Sequence, residues 1–357
     1  MKGGAMSHNN LIGLDISKNV FEVCVQNEKG EVMERNTLTR TNVLGWFSTQ
    51  EKSTIGLEAC GGAHYWAREL TKQGHKVKIL PPQHVKPFVR TNKSDMHDAQ
   101  AIGRALREPD MPVVPIADRE QQDLQALHRM RQRLVEERTA LINQMRGFLL
   151  EYGIALPLGI ERMREGIKTI LEKRPETLSA YFLDVLQDQY SDLILKDEKI
   201  SGYTNKIEER VAKDASGKRV MEMVGIGVLS ASALLIKLRH AGTYENGRHF
   251  AASIGLVPRH EGTGGKIRIK GMSKRGDRYL RTLLIHGART AMQHIEKRTD
   301  PLGLWAKGVL ARQGFNKAAV ALASKHARIA WKLITHQEEF QPMKAAKAIE
   351  KQSAIVA

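Results

Sequence analysis

Cysteine is nearly absent from this sequence: Cys24 and Cys60 are the only two in 357 residues. One isolated pair excludes a disulfide framework and lacks the partners of a zinc site, so both read as buried free thiols in or beside strands. No run of 18 apolar residues occurs, which excludes a membrane-spanning helix, and the N-terminus has no apolar signal core. The expectation is therefore a soluble, cytoplasmic chain without a membrane partner. Acid is also in short supply. Lys and Arg number 56 against 39 Asp and Glu, a formal charge of +17 with a pI near 9.8. Such an imbalance points to a polyanionic partner, nucleic acid before membrane surface. At about 150 residues per domain the length allows two to three domains with a substantial core.

The few acids are placed with more pattern than the many bases. Leu11–Leu14 reads as a buried strand, Ser17–Asn19 as a turn and Val20–Val25 as a second strand, so Asp15 stands alone at a strand end. A carboxylate there is shared by ribonuclease-H-like nucleases, where it holds metal, and actin-like ATPases, where it lies near nucleotide phosphate. A simple turn cap has the same local pattern. A third strand is expected over Glu31–Leu38 and a helix over Thr41–Gln50. Next come a strand Ser53–Cys60 carrying Glu58, a helix Ala63–Gly74 and a strand Lys76–Leu80 stopped by Pro81 and Pro82. This β-β-β-α-β-α-β order is that of a ribonuclease-H-like domain, in which strand ends deliver carboxylates to one point. The segment from Arg90 to Arg104 then starts a helix whose first turn carries Asp95 and Asp98 on one face. Acids in a first turn are ordinary partners of the helix dipole. Joined to Asp15 and Glu58, they make the set that holds a pair of divalent cations about 4 Å apart for phosphoryl transfer, and hard oxygen ligands favour magnesium or manganese over zinc.

From Asp118 to Tyr152 the chain is polar and helix-forming, with Leu124, Leu127, Leu134, Leu141, Met145 and Phe148 in three- and four-residue steps. A bundle core and a dimerising coiled coil share that pattern. Arg131 and Arg138 on the seam imply partial exposure, with nucleic-acid phosphate as one partner, and a helix over Tyr181–Lys213 could return as an antiparallel arm. Gly225 and Gly227 before an apolar helix suggest a helix-hairpin-helix whose amides hold a DNA phosphate, or a plain helix-helix turn. Between Pro258 and Arg289 stand nine Lys or Arg (Arg259, Lys266, Arg268, Lys270, Lys274, Arg275, Arg278, Arg281, Arg289) against two acids, Glu261 and Asp277. Within this stretch Gly262-Thr-Gly-Gly-Lys266 reads as a flexible loop leaving the Thr263 hydroxyl among bases, suited to a scissile phosphate or to phosphate binding alone. Final helices are expected over Leu280–His294 and Ala318–Thr335.

Together, Gly13-Leu-Asp15, Leu57-Glu58-Ala59, Lys93-Ser-Asp95-Met-His-Asp98-Ala99, Val224-Gly-Ile-Gly227, Phe250-Ala-Ala252, Gly255-Leu-Val-Pro258, Gly264-Gly-Lys266 and Met272-Ser-Lys-Arg-Gly-Asp277 resemble the insertion-sequence 110 family of transposases. The Gly-Gly-Lys and Ser-Lys-Arg-Gly-Asp wording is similar to its 1111 subgroup. The resemblance runs from about Leu11 to Trp331. It implies a RuvC-like (ribonuclease-H-like) domain with an Asp-Glu-Asp-Asp set, a coiled-coil arm, a mainly helical C-terminal transposase domain with a catalytic serine, and guidance by a noncoding RNA from the same element. It also implies a homo-oligomer, dimer or tetramer, with its site assembled across protomers on donor and target DNA. Where that family has its serine this chain has Thr263; Ser273 is the alternative nucleophile and Ser253 a weaker one. The expected division is a flexible N-terminus (1–9), a catalytic domain (10–115), a helical arm (116–215), a transposase domain (216–340) and a disordered basic tail (341–357). Two rival classes are a junction-resolving nuclease using water and a non-catalytic RNA-binding protein on the same fold.

Overall fold

The computed structural model describes residues 10–90, 94–240, 242–264 and 266–341, with the backbone alone at Thr263 and Ile267. The expected flexible N-terminus, and all of the expected tail but Gln341, lie outside the described residues. The chain divides into two compact units, Met1–Gln122 and Asp123–Ala357.

The first unit runs β1 (Leu11–Ile16), β2 (Val20–Gln26), β3 (Val32–Thr39), α1 (Val43–Ser48), β4 (Thr54–Glu58), α2 (Ala63–Lys72), β5 (Lys76–Leu80), α3 (Pro82–Val85) and α4 (Asp95–Ala105). The element order is the expected one. The sheet is ordered β3-β2-β1-β4-β5, antiparallel from β3 to β1 and parallel from β1 to β5. Side chains alternate across a strand, so Ile12 and Leu14 of β1 and Ile55 and Leu57 of β4 go to one face. There they pack with Phe21, Val23, Phe47, Trp66 and Leu70. Each such side chain, fully buried, contributes about 1.5–3 kcal/mol relative to exposure. The opposite face carries Gly13 and Gly56, which are register partners, and it is covered by α4 through Ile102 and Leu106. A Cβ at Gly13 would come within 1.9 Å of the Ala99 carbonyl oxygen. Only a bare backbone lets the helix lie this close on the strand. Cys24 is buried as expected, whereas Cys60 is exposed because it follows the last residue of β4.

Helix α5 (Arg119–Glu151) opens on a reciprocal cap, Gln121 N donating to Asp118 Oδ1 at 2.8 Å and Asp118 N to Gln121 Oε1 at 3.0 Å. In the second unit α6 (Ile160–Lys173) and α7 (Ala180–Ala212) follow. Leu141, Met145 and Leu149 of α5 are buried with Met163 and Ile167 of α6 and Leu183, Leu186 and Leu193 of α7. The seam arginines are not left for phosphate. Arg131 Nε donates to Thr204 Oγ1 at 2.8 Å, and Arg138 pairs at 2.7 Å with Asp197, which also takes Arg164. Half-buried guanidiniums find acceptors on the facing helix of the same chain.

Then come α8 (Ala215–Met221), α9 (Val228–Leu238), α10 (Gly247–Ser253), β6 (Pro258–Thr263), β7 (Lys266–Met272), α11 (Arg278–Gln293), α12 (Pro301–Gln313) and α13 (Phe315–Thr335). Their core gathers Val220, Leu234, Phe250, Leu284 and Leu322, with Leu124 and Leu127 of α5 packed against it. Helix α5 is also tied in by His128, whose ring nitrogens lie 2.9 Å from the Tyr279 hydroxyl and 2.8 Å from the Ser232 hydroxyl. Burial pushes this imidazole down to about 4. Among the described residues no helix is long and apolar enough to cross a membrane.

Candidate functional site

Strand parity puts two acids of the first unit, Asp15 and Glu58, on one face. Asp15 is two residues beyond Gly13 and Glu58 two beyond Gly56, so both carboxylates stand on the face that α4 covers, at the ends of adjacent parallel strands. Ser94 caps α4 by accepting from His97 N at 3.3 Å, which sets the first turn, with Asp95 and Asp98 in it. Since α4 rests on bare backbone at Gly13, its first turn reaches the end of β1. Asp15, Asp95 and Asp98 then offer carboxylate oxygens that all lie within 4.8 Å of one another. Asp15 is half-buried, Asp98 half-buried and Asp95 exposed.

This arrangement is electrostatically costly. The Asp15 carboxyl is pushed up to about 6, first by burial and then by the charges of Asp95, Asp98 and Glu58. The Cys60 thiol nearby is also raised, by burial and by Asp15 and Glu58. Opposite ligands of an octahedral magnesium at about 2.1 Å stand about 4.2 Å apart. The oxygens therefore need only a small rotamer adjustment to share one ion. An all-carboxylate donor set whose members repel one another fits a hard divalent cation.

The basic stretch of the second unit is not the flexible loop expected from its glycines. Gly262 ends up inside a β-hairpin in which Thr263, the last residue of β6, pairs with Lys266, the first of β7, across a turn where Gly264 has φ +57°. A two-residue Gly-Gly connection is the preferred hairpin turn, and that signal was in the sequence. Lys266, Arg268 and Lys270 recur at every second position of β7, all exposed. Glu261, opposite Arg268 in the register, takes Lys270 and lies 3.2 Å from Arg259. Lys274, Arg275 and Arg278 are exposed, Lys274 with φ +56°.

Two assignments change. Arg281 is buried, its guanidinium donating to the carbonyls of Ile254 at 3.0 Å and Arg275 at 2.8 Å, so it braces the turn before α11 and does not face phosphate. Gly225, at φ +93°, has its Cβ position 2.4 Å from the Gly287 carbonyl oxygen, so it serves close packing on α11. Gly227, the N-cap of α9, is left in open space. Ser253 returns its hydroxyl to the Phe250 carbonyl at 2.8 Å, while Ser273 is half-buried with its N–H bonded to Val257 O at 2.9 Å.

Comparison with known proteins matches both units. Residues 12–154 match a DEDD transposase model of IS110 type, and residues 217–301 match the transposase IS116/IS110/IS902 family. The chain is 42% identical over 332 residues to a protein of Pseudomonas aeruginosa named "Probable family 20 transposase", covering 93% of this chain and 98% of the relative. It is 39% identical to the transposase for insertion sequence element IS1111A of Coxiella burnetii, over 93% of this chain and 91% of that one. It is also 39% identical to the transposase for IS1328 of Yersinia enterocolitica, over 92% and 98%.

Proposed function

The chain belongs to the IS110 family of insertion-sequence transposases, and from that premise we propose that it cuts and rejoins DNA by phosphoryl transfer at a carboxylate-bound divalent cation, with Thr263 as nucleophile. The observation that carries this reading is the convergence of Asp15, Asp95 and Asp98 oxygens within 4.8 Å. Membership of the family implies a DNA recombinase; the ribonuclease-H-like identity of the sheet domain and the coiled-coil character of α5 and α7 are part of the proposal.

Asp15, Glu58, Asp95 and Asp98 would hold the cation, magnesium or manganese. When bound, it would stabilise charge developing on the scissile phosphate and lower the cost of an alkoxide. The Thr263 hydroxyl gives up its proton to solvent as its oxygen forms a bond to phosphorus and the bond to the leaving sugar oxygen breaks; that leaving oxygen takes up a proton from solvent, and the reverse attack by a sugar hydroxyl restores Thr263. Lys266, its register partner, supplies positive charge to the same phosphate, while Arg259, Arg268, Lys270, Lys274, Arg275 and Arg278 position the backbone. A homo-oligomer carrying an element-encoded noncoding RNA on donor and target DNA completes the proposal.

The test is a recombination assay on element-end DNA with magnesium. Asp15→Asn, Glu58→Gln, Asp95→Asn and Asp98→Asn should each lose strand cleavage and keep DNA binding. Stalled wild-type reactions run on denaturing gels should contain protein joined to DNA. Cleavage without any adduct would assign the nucleophile to water and make the chain a junction-resolving nuclease.

A further inference from the structure

A second basic cluster lies outside the hairpin, on α10 before it and α13 after it, and none of the roles above uses it. Lys325, Arg328 and Lys332 follow one another at spacings of three and four residues, which places them on one face of α13. Arg248 joins them from α10, whose backbone is held close to α13: a Cβ at Gly247 would come within 2.9 Å of the Arg328 carbonyl oxygen. These four bases line a cavity of about 480 Å³.

Like charges three residues apart repel, and burial worsens the repulsion. Lys325 and Arg328 are both half-buried, yet among the described residues neither they nor Arg248 enters an ion pair. Lys325 has instead the Trp305 ring, 4.9 Å from its Nζ. Burial and the neighbouring Arg328 push Lys325 down to about 8, and burial and Arg248 lower Arg328. Trp331 contributes its indole to the same lining. The lining carboxylates, Glu338 and Glu339, stand on the segment after α13, and Glu338 is already paired with Lys332 at 3.0 Å. The wall thus offers surplus donors and positive charge, some of it desolvated in the folded chain.

We propose that this cavity binds a backbone phosphate of a nucleic acid, as a contact separate from the β6–β7 hairpin. Two guanidiniums present forked donors matched to phosphate oxygens. The cavity has room for a phosphodiester with its adjoining sugar, beside an indole wall suited to sugar or base. The inference rests on the reading of the chain as a DNA recombinase, and it adds an anchoring point outside the reacting residues.

The experiment compares the full chain with Lys325→Gln/Arg328→Gln, the charge-keeping Lys325→Arg/Arg328→Lys, and Lys266→Gln/Arg268→Gln/Lys270→Gln. Binding to a DNA duplex and to an RNA hairpin is measured across a salt series, and melting is measured in sodium phosphate against chloride at matched ionic strength. The Gln pair should lower the slope of log affinity against log salt by about 1–2, at ~0.9 per phosphate contact on B-DNA. This loss should add to that of the hairpin variant, and the charge-keeping pair should restore most of it. The nucleic acid with the larger loss identifies the source of the phosphate. Inorganic phosphate should raise the melting temperature of the wild type more than that of the Gln pair. An unchanged slope on both nucleic acids with an undiminished phosphate response overturns the proposal. If the wild type shows no salt-dependent binding at all, the recombinase reading fails, and the phosphate arm alone decides the cavity.

Discussion

Replacing Asp15 by Asn should stabilise the cation-free first unit, although removal of a buried charged group is usually destabilising. The folded carboxyl is raised from 3.8 to about 6, so folding disfavours its ionised form. The penalty is absent below about pH 3.8, grows between 3.8 and 6, and is complete above 6. At 1.36 kcal/mol per pH unit a fully buried group would forfeit about 3 kcal/mol. Asp15 is partly exposed, and solvent screening reduces the figure to about 1–2 kcal/mol. Asn keeps the shape and removes the charge. Near pH 7.5 with chelator, calorimetry should therefore show the first unit of Asp15→Asn melting higher by roughly 4–8 °C. Near pH 4, where the wild-type carboxyl is protonated, the difference should vanish. Millimolar magnesium should raise the melting temperature of the wild type and leave the variant nearly unmoved. A variant that melts lower than wild type at neutral pH without metal, or a wild type indifferent to magnesium, would refute the reasoning.

Gly13→Ala should destabilise the first unit by about 3 kcal/mol or more, because its Cβ meets backbone atoms that can retreat only if α4 lifts; loss of the magnesium response in urea titrations would show that the acids part with it. Thr263→Ala should abolish recombination while retaining DNA binding, and Thr263→Ser should keep or raise activity, since the missing methyl eases attack; an active Ala variant with an inactive, adduct-free Ser273→Ala would move the nucleophile to Ser273. Neutralising Lys266, Arg268 and Lys270 together should flatten the DNA salt slope by about 2, short of three full contacts because Glu261 already holds Lys270; an unchanged slope would place the footprint elsewhere. His128 and His326 are held at about 4 by burial, with unfolded values near 6.5, so their contribution is complete above pH 6.5 and is lost as pH falls toward 4. The second unit should lose up to about 3 kcal/mol per histidine over that window, and His326→Leu should flatten this limb in pH-dependent urea unfolding.

The first unit was legible because its strands are short, apolar and punctuated: Ile12 and Leu14 alternate with Gly13 and Asp15, and Pro81 and Pro82 close β5. The same parity puts Asp15 and Glu58 on one face. It could not foretell how near α4 would bring Asp95 and Asp98, which depends on two glycine backbones touching a helix. In the second unit the glycines of Gly262–Lys266 suggest looseness in the sequence, whereas a tight antiparallel turn requires them. Helix α6 is legible in the helical spacing of Met163, Ile167 and Ile170. Seam position leaves phosphate open as a partner of Arg131 and Arg138, and the basic run suggests it for Arg281, whereas their acceptors, Thr204, Asp197 and two backbone carbonyls, are distant in sequence or carry no side-chain signal.

Because Gly13 meets α4 backbone to backbone, the gap between Asp15 and the acids of α4 is set there by the thickness of two main chains and not by any side chain between them. Side chains repack and breathe; main chains in van der Waals contact scarcely do. Drift in the apolar residues on the other face of the sheet, such as Leu14→Ile or Leu57→Met, would then change how firmly the domain holds together without altering the span between its acids. The sequence is free to wander on one side of a sheet whose other side works as a gauge block.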